Sequence, residues 1–249
     1  MGFSIFMDVK TAGRTVELFE VFAKSKRPLT MSEVARAMNV PQSSCYNLMR
    51  ALESRGFLYP VGGNKRVYPT RKLSDLAQAI VGYDPVTIRM EPVMQEICDA
   101  TNETVILGTL LGKQIVYLAV TEGRQTIRYI SRPGELKPVH ASAIGKAMLM
   151  ALDPAARAAL VGKLSFEKFT DRTIDSPAHL LAEISLSETR GFAQTVGENV
   201  VDVMAVACPI ELDSATYAVA VAGPMGRLQP QATEIAGRLK EILAKMARI

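Results

Sequence analysis

The stretch Thr30-Met-Ser-Glu-Val-Ala-Arg-Ala-Met-Asn-Val-Pro-Gln-Ser-Ser-Cys-Tyr-Asn-Leu-Met-Arg-Ala-Leu-Glu-Ser-Arg-Gly56 reads as two short helices joined by a tight turn. Thr30 with Glu33 three residues later is a capping-box pattern, in which each side chain satisfies an orphan amide at the helix start. Val34, Ala35 and Met38 then form an inward face, and Asn39 stops the helix. Val40 to Ser44 supply turn and cap residues. Cys45, Leu48/Met49 and Leu52 recur at three- and four-residue spacing, which predicts a second helix over 42–54. Gly56 stands where a left-handed C-terminal cap belongs.

Outward from this pair the pattern continues on both sides. Thr11 to Ser25 predicts a helix through Val16, Phe19, Val21, Phe22 and Ala23, ended by Pro28. Downstream, Phe57-Leu-Tyr59 and Arg66-Val-Tyr68 flank Gly62-Gly-Asn-Lys65, a hairpin signal. Helix, helix, tight turn, helix and hairpin in that order predict a winged helix-turn-helix. In such a unit the helix after the turn enters the DNA major groove and the wing lies on the backbone. The charge agrees: residues 1–73 hold 12 Lys+Arg against 5 Asp+Glu, whereas the remainder holds 17 against 20. A basic segment on an acidic body suits a nucleic-acid module joined to another domain.

Leu73 to Ile80 predicts a further helix, and Gly82 to Pro85 breaks the chain. The domains are therefore expected at 8–71, with a linker helix at 72–84 and a second domain at 85–249. That second domain begins with a helix over 85–100, kinked at Pro92. Strands are predicted at 104–111, 114–120, 125–131, 202–211 and 216–222. Helices are predicted at 141–152, 154–164, 176–190 and 231–246. Hairpin-linked strands with interspersed helices predict an antiparallel α+β domain.

Composition excludes several classes. With 48% hydrophobic and 22% charged residues the chain is expected to fold rather than stay disordered. The longest apolar runs are far short of the ~20 residues of a membrane span. Three widely spaced cysteines (Cys45, Cys98, Cys208) exclude a disulfide scaffold. The N-terminus lacks a signal-peptide layout, so a cytoplasmic protein with no membrane association is expected. His140 and His179 have no metal-spaced partner, and neither GxSxG nor GxGxxG occurs. Gly108-Thr-Leu-Leu-Gly-Lys113 is one residue short of a P-loop and falls in a hairpin turn. No catalytic residue, metal site or cofactor is expected.

Read together, these segments resemble the IclR family of bacterial transcriptional regulators over about residues 10–245. The resemblance rests on Arg14-Thr-Val-Glu-Leu-Phe, on Pro28 to Phe57, and above all on Pro138-Val-His-Ala-Ser-Ala-Ile-Gly-Lys-Ala147. Arg190-Gly-Phe192 and Gly223-Pro224 with Arg227-Leu228 add two landmarks. It implies a GAF-like effector-binding domain, a homodimer or tetramer, and binding to double-stranded operator DNA modulated by a small organic acid. The chain departs from the family in its recognition helix, where Ser44-Cys-Tyr-Asn47 replaces the usual Thr-Val-x-Arg. Members that bind small keto acids carry Asp, Cys and two Ser at positions aligning with Gly197, Ala205, Ala220 and Ala222.

Two sets of site residues are expected. For DNA they are Gln42, Ser43 and Ser44 at the helix start, Tyr46, Asn47 and Arg50 on its outer face, and Lys65 and Arg66 on the wing. Packing of Tyr46 on the wing and simple capping by Gln42 and Ser44 are the alternatives. For the effector they are Ser142, Ala143, Ile144 and Gly145 at a helix N-terminus, whose free amides suit a carboxylate. Tyr129, Gly197, Val203, Ala205, Ala220 and Ala222 complete that set. The four small residues predict an enlarged, dry pocket and an aromatic carboxylate as effector. Rival readings are a small-molecule-processing enzyme with a vestigial DNA-binding domain, and a protein-interaction adaptor.

Overall fold

The computed structural model describes residues 10–62 and 65–246. The wing-tip residues Gly63 and Asn64, and the two ends of the expected domain limits, lie outside them. The chain forms two compact units that divide between Asp84 and Pro85.

In the first unit α1 (Lys10–Ser25), β1 (Leu29–Thr30), α2 (Met31–Ala37) and α3 (Gln42–Ser54) precede the wing strands β2 (Leu58–Val61) and β3 (Arg66–Pro69). The capping box of α2 forms as its sequence dictates. Thr30 Oγ1 accepts from the Glu33 amide at 3.3 Å, and the Glu33 carboxylate accepts from the Thr30 amide at 2.7 Å. That amide and Arg27 hold the Glu33 carboxyl down at about 2. Leu18, Phe22, Val34, Cys45, Met49, Leu52 and Val67 pack into one core. This core fixes α3 against α2 and the wing. Helix α4 (Lys72–Val81) follows.

The second unit is a six-stranded antiparallel sheet with helices on both faces. Its elements are α5 (Pro85–Thr101), β4 (Thr104–Leu111), β5 (Gln114–Thr121), β6 (Leu136–Pro138), α6 (Ala143–Ala151), α7 (Pro154–Val161), α8 (Pro177–Arg190), β7 (Ala193–Val196), β8 (Val203–Leu212), β9 (Ala215–Pro224), α9 (Met225–Leu228) and α10 (Ala232–Met246). The strand order is β6-β5-β4-β9-β8-β7. Side chains alternate between faces along a strand, and β8 and β9 use this alternation to sort by size. Val206, Cys208, Val219 and Val221 meet the layer of α5 and α10. Ala207, Ala218, Ala220 and Ala222 meet the layer of α6 and α8. The small face lets α6 lie close to the sheet.

One expectation is corrected. Residues 125–131 form no strand. Along 114–117 the outer edge of β5 is occupied by β6 and by two backbone bonds, from the Gly134 amide to the Tyr117 carbonyl and from the Tyr117 amide to the Glu135 carbonyl. Strands β6 and β7 were missed; each is too short to show alternation. Helix α5 carries Pro92 inside it, as expected.

Candidate functional site

Two sites emerge, one on each unit. On α3, Gln42, Ser43, Tyr46, Asn47 and Arg50 are exposed and Ser44 is half-buried. Burial of Cys45, Met49 and Leu52 turns this opposite face outward. Tyr46 is 51% exposed, so it is not buried against the wing. The α3 N-cap is Pro41, with no side-chain cap. The capping alternative for Gln42 and Ser44 is therefore absent, and the amides of this first turn lack intrahelical partners. Arg50 forms an exposed pair with Glu53 at 3.3 Å.

On the wing, Lys65 is exposed at the tip in a left-handed conformation (φ 52°). Arg66 behaves differently. Its Nη1 donates to the Pro28 carbonyl at 3.0 Å and pairs with Glu33 at 3.4 Å. It ties the wing to the start of α2 while keeping 39% of its side chain exposed.

The second site is a cavity over the alanine face of the large sheet, at the start of α6. Ser142, Ala143, Ile144, Tyr129, Val203, Ala205, Ala220 and Ala222 line it. Gly145 and Gly197 do not. A Cβ on Gly145 would lie 2.2 Å from the Val139 carbonyl oxygen, so this glycine permits α6 to meet the preceding segment. Its amide donates to the Ser142 cap at 3.2 Å. That leaves the amides of Ala143 and Ile144 as the uncapped start of the helix. Gly197 turns the chain between β7 and β8 with φ 68°.

Ile106, Tyr117, Ala141, Thr195, Asn199 and Val200 also line the cavity, beyond the residues chosen for the effector set. Tyr117 was legible: it follows buried Ile115 by two residues on β5, so it shares that residue's face. Val200 comes from a loop with no such signal. The cavity is not wide. The space open to the centre of a water molecule is about 40 Å³, or about three waters at 10–15 Å³ each. Tyr117, Tyr129, Ile106 and Val200 take up the room that the alanines free.

The segment bearing Tyr129 is latched. Thr104 Oγ1 donates to the Tyr129 carbonyl at 2.6 Å. Arg227 pairs with the buried Glu103 carboxylate and donates to the Ile127 carbonyl at 2.8 Å. Behind α6, Lys146 is fully buried and donates to Glu198 at 2.6 Å and to the Gln194 carbonyl at 3.0 Å. His140 is also buried and lies 3.0 Å from the Glu167 carbonyl, beside the Phe166 and Phe169 rings. Burial lowers its pKa, which suits a neutral packing residue. Among the described residues no three His, Cys, Asp or Glu side chains converge as metal ligands, and no helix is long and apolar enough to cross a membrane.

Comparison with known proteins gives matches along nearly the whole chain. The family model for the bacterial transcriptional regulator IclR C-terminal domain matches residues 78–248, and that for the IclR helix-turn-helix domain matches 11–62. The HTH-type transcriptional regulator BhcR of Paracoccus denitrificans is 26% identical over 88% of this chain and 79% of its own. The crystal structure of Thermotoga maritima IclR superposes with a TM-score of 0.78 at 25% identity, covering 96% of this chain and 98% of that one. An IclR homologue from Microbacterium hydrocarbonoxydans, solved with 4-hydroxybenzoate, has the same fold (TM-score 0.74, 19% identity, 96% and 100% covered).

Proposed function

The chain belongs to the IclR family of bacterial transcriptional regulators, and we propose that it binds an operator through α3 and the wing under the control of a small aromatic carboxylate. It is a transcriptional regulator with a helix-turn-helix domain and an effector-binding domain. The finer reading rests on one observation: a small, mostly apolar cavity opens on the start of α6, where the Ser142 cap takes the Gly145 amide and leaves those of Ala143 and Ile144. The amides of Ala143 and Ile144, aided by the helix dipole, suit a carboxylate. Alanines 205, 220 and 222 offer no hydrogen bond to a keto oxygen but accept the face of a ring. The 4-hydroxybenzoate complex of the Microbacterium homologue supports an aromatic acid as the class of effector. The regulator works in the cytoplasm as a symmetric dimer, or a tetramer, on a pseudo-palindromic site.

Calorimetric titration of the protein with benzoate-type acids, glyoxylate and pyruvate tests the effector class. The aromatic acids should bind more tightly. Ala220→Leu should weaken them by about 1–3 kcal/mol through overpacking and leave DNA binding intact. Tighter binding of glyoxylate or pyruvate overturns this reading.

The DNA face is tested by salt. Lys65→Ala should weaken specific and random duplex alike and reduce the log–log salt slope by about 0.9. Arg50→Ala should weaken the operator more than random DNA, since base contacts carry about 1–3 kcal/mol each. An unchanged slope for Lys65→Ala would remove the wing tip from the phosphate contacts.

A further inference from the structure

The cavity at the start of α6 closes around little space. It has room for about three waters, whereas ligand pockets commonly span about 300–1,000 Å³. A wall must therefore yield before an organic acid enters. Most of the wall is fixed. Ile106, Tyr117, Ala205 and Ala220 stand on strands that are paired on both sides. Ala143 and Ile144 belong to the buried layer of α6. The loop between β7 and β8 is fastened through its main chain. The Gly197 amide donates to the Val203 carbonyl at 2.8 Å, and the Met225 amide to the Asp202 carbonyl at 2.7 Å. Thr170 Oγ1 and Thr173 Oγ1 hold the Gly197 and Glu198 carbonyls at 2.7 and 2.6 Å.

Residues 124–131, which carry Tyr129, differ. Among the described residues no main-chain hydrogen bond joins this segment to the rest of the chain. Side chains hold it instead. Thr104 on β4 shares a face with Ile106, two residues on. Its Oγ1 accepts from the Gly123 amide at 3.2 Å and donates its one proton to the Tyr129 carbonyl at 2.6 Å. Arg227, paired with the buried Glu103 carboxylate, donates to the Ile127 carbonyl at 2.8 Å. The ion pairs Arg124–Asp99 and Arg128–Glu122 lie at the surface and add little. Ile127 and Ile130 are 73% and 62% exposed, so the outer side of the segment joins no core. Both ends are anchored. Gly123 lies so close to the backbone of Asn102 and Glu103 that a Cβ would come within 2.7 Å of it. Gly134, at φ 85°, donates its amide to the Tyr117 carbonyl.

We propose that residues 124–131 are the gate of the cavity, pivoting between Gly123 and Gly134, and that the Thr104 hydroxyl and the Arg227–Glu103 pair are the latches that hold it shut. Opening it releases two carbonyls to water. Opening any other wall breaks a strand ladder, a main-chain-bonded loop or the α6 core. The movement carries Tyr129 off the cavity and leaves the sheet and α6 in place. This rests on the reading of the cavity as the effector site, and not on the acid being aromatic.

The test measures access to the cavity rather than affinity for an acid. Ala220→Cys places a thiol on the cavity wall. Methyl methanethiosulfonate then labels the full chain, and the rate at each cysteine is read by peptide mass spectrometry. Cys208, buried on the opposite face of the sheet, reports general loosening of the domain. Thr104→Val removes the hydroxyl at nearly constant shape and should speed labelling at position 220 about tenfold relative to Cys208. Thr104→Ser keeps the hydroxyl and should label at the parent rate. Glu103→Gln/Arg227→Gln opens the second latch without stranding a buried carboxylate, and should also speed labelling. Thr170→Val, which loosens the loop after β7, should not. Acceleration in only one of the two latch variants supports the gate and assigns the latch to that one. Unchanged labelling in both, equal acceleration at position 220 and Cys208, or a serine variant as fast as the valine one overturns the proposal. So does acceleration by Thr170→Val in place of the latch variants, which would move the entry to the β7–β8 loop. None of these outcomes bears on the aromatic-acid reading, which calorimetry decides separately.

Discussion

Lys146→Met is expected to destabilise the effector-binding domain by about 3–5 kcal/mol, the cost of leaving a buried charge without its partner. Lys146 has no exposed surface, and among the described residues its ammonium donates to Glu198 and to the Gln194 carbonyl. One oxygen of Glu198 already lacks a hydrogen-bond partner. Removing the ammonium leaves the other oxygen equally stranded. Replacing both members, as Lys146→Met/Glu198→Leu, should recover most of the loss, because an apolar pair needs no compensation. Urea unfolding of the three variants checks this; a double variant no better than Lys146→Met would show that the pair is not the cause.

The same variant should depend on pH in a fixed direction. Burial outweighs the attraction of Lys146 and holds the Glu198 carboxyl above the usual range. Without the ammonium it rises further. A raised acid favours the fold in its protonated form, so its stabilisation is present below the unfolded carboxyl pKa of about 4.3 and is lost as pH rises through the folded value. The deficit of Lys146→Met should therefore widen from about pH 4 upward.

Gly145→Ala is the second large effect, near the upper end of the roughly 1–3 kcal/mol cost of overpacking. The new methyl would lie 2.2 Å from the Val139 carbonyl oxygen and 2.7 Å from the Val139 Cα, both backbone atoms that no rotamer can move aside. The start of α6 must then withdraw from residues 139–141, and Ala143 and Ile144 leave the cavity with it. Effector binding should fall together with stability. Gly237→Ala in α10 is the control, since its methyl meets nothing within 4 Å. It should be neutral or stabilising by about 0.5–1 kcal/mol. A similar small change at Gly145 would mean that the contact relaxes freely.

Local chemistry made most of the fold readable. The Thr30–Glu33 box, the Cys45–Met49–Leu52 stripe and Gly56 each act over a few residues, so sequence spacing carries them. The cavity is harder because six separate segments converge on it. Ser142 and Ala220 were legible from a motif, whereas Thr195 and Asn199 gain meaning only once β7 pairs beside β8. Gly145 and Gly197 were drawn into the site by their position in the chain. Their lack of a side chain serves close packing at one and a left-handed turn at the other. The segment 125–131 has strand-like residues, yet it forms no strand, and residue type alone does not decide pairing. Arg66 adds a role its charge alone did not reveal: it contacts Pro28 and Glu33 while keeping part of its side chain exposed.

The sorting of β8 and β9 into a small and a large face separates two kinds of inheritance. A substitution at Ala205, Ala220 or Ala222 changes what the cavity can hold. The valines at 206, 219 and 221, one residue away in the chain, keep their grip on α5 and α10. Descendants of such a sheet can therefore drift toward new ligands through single changes on one face, without first having to survive the loss of a core.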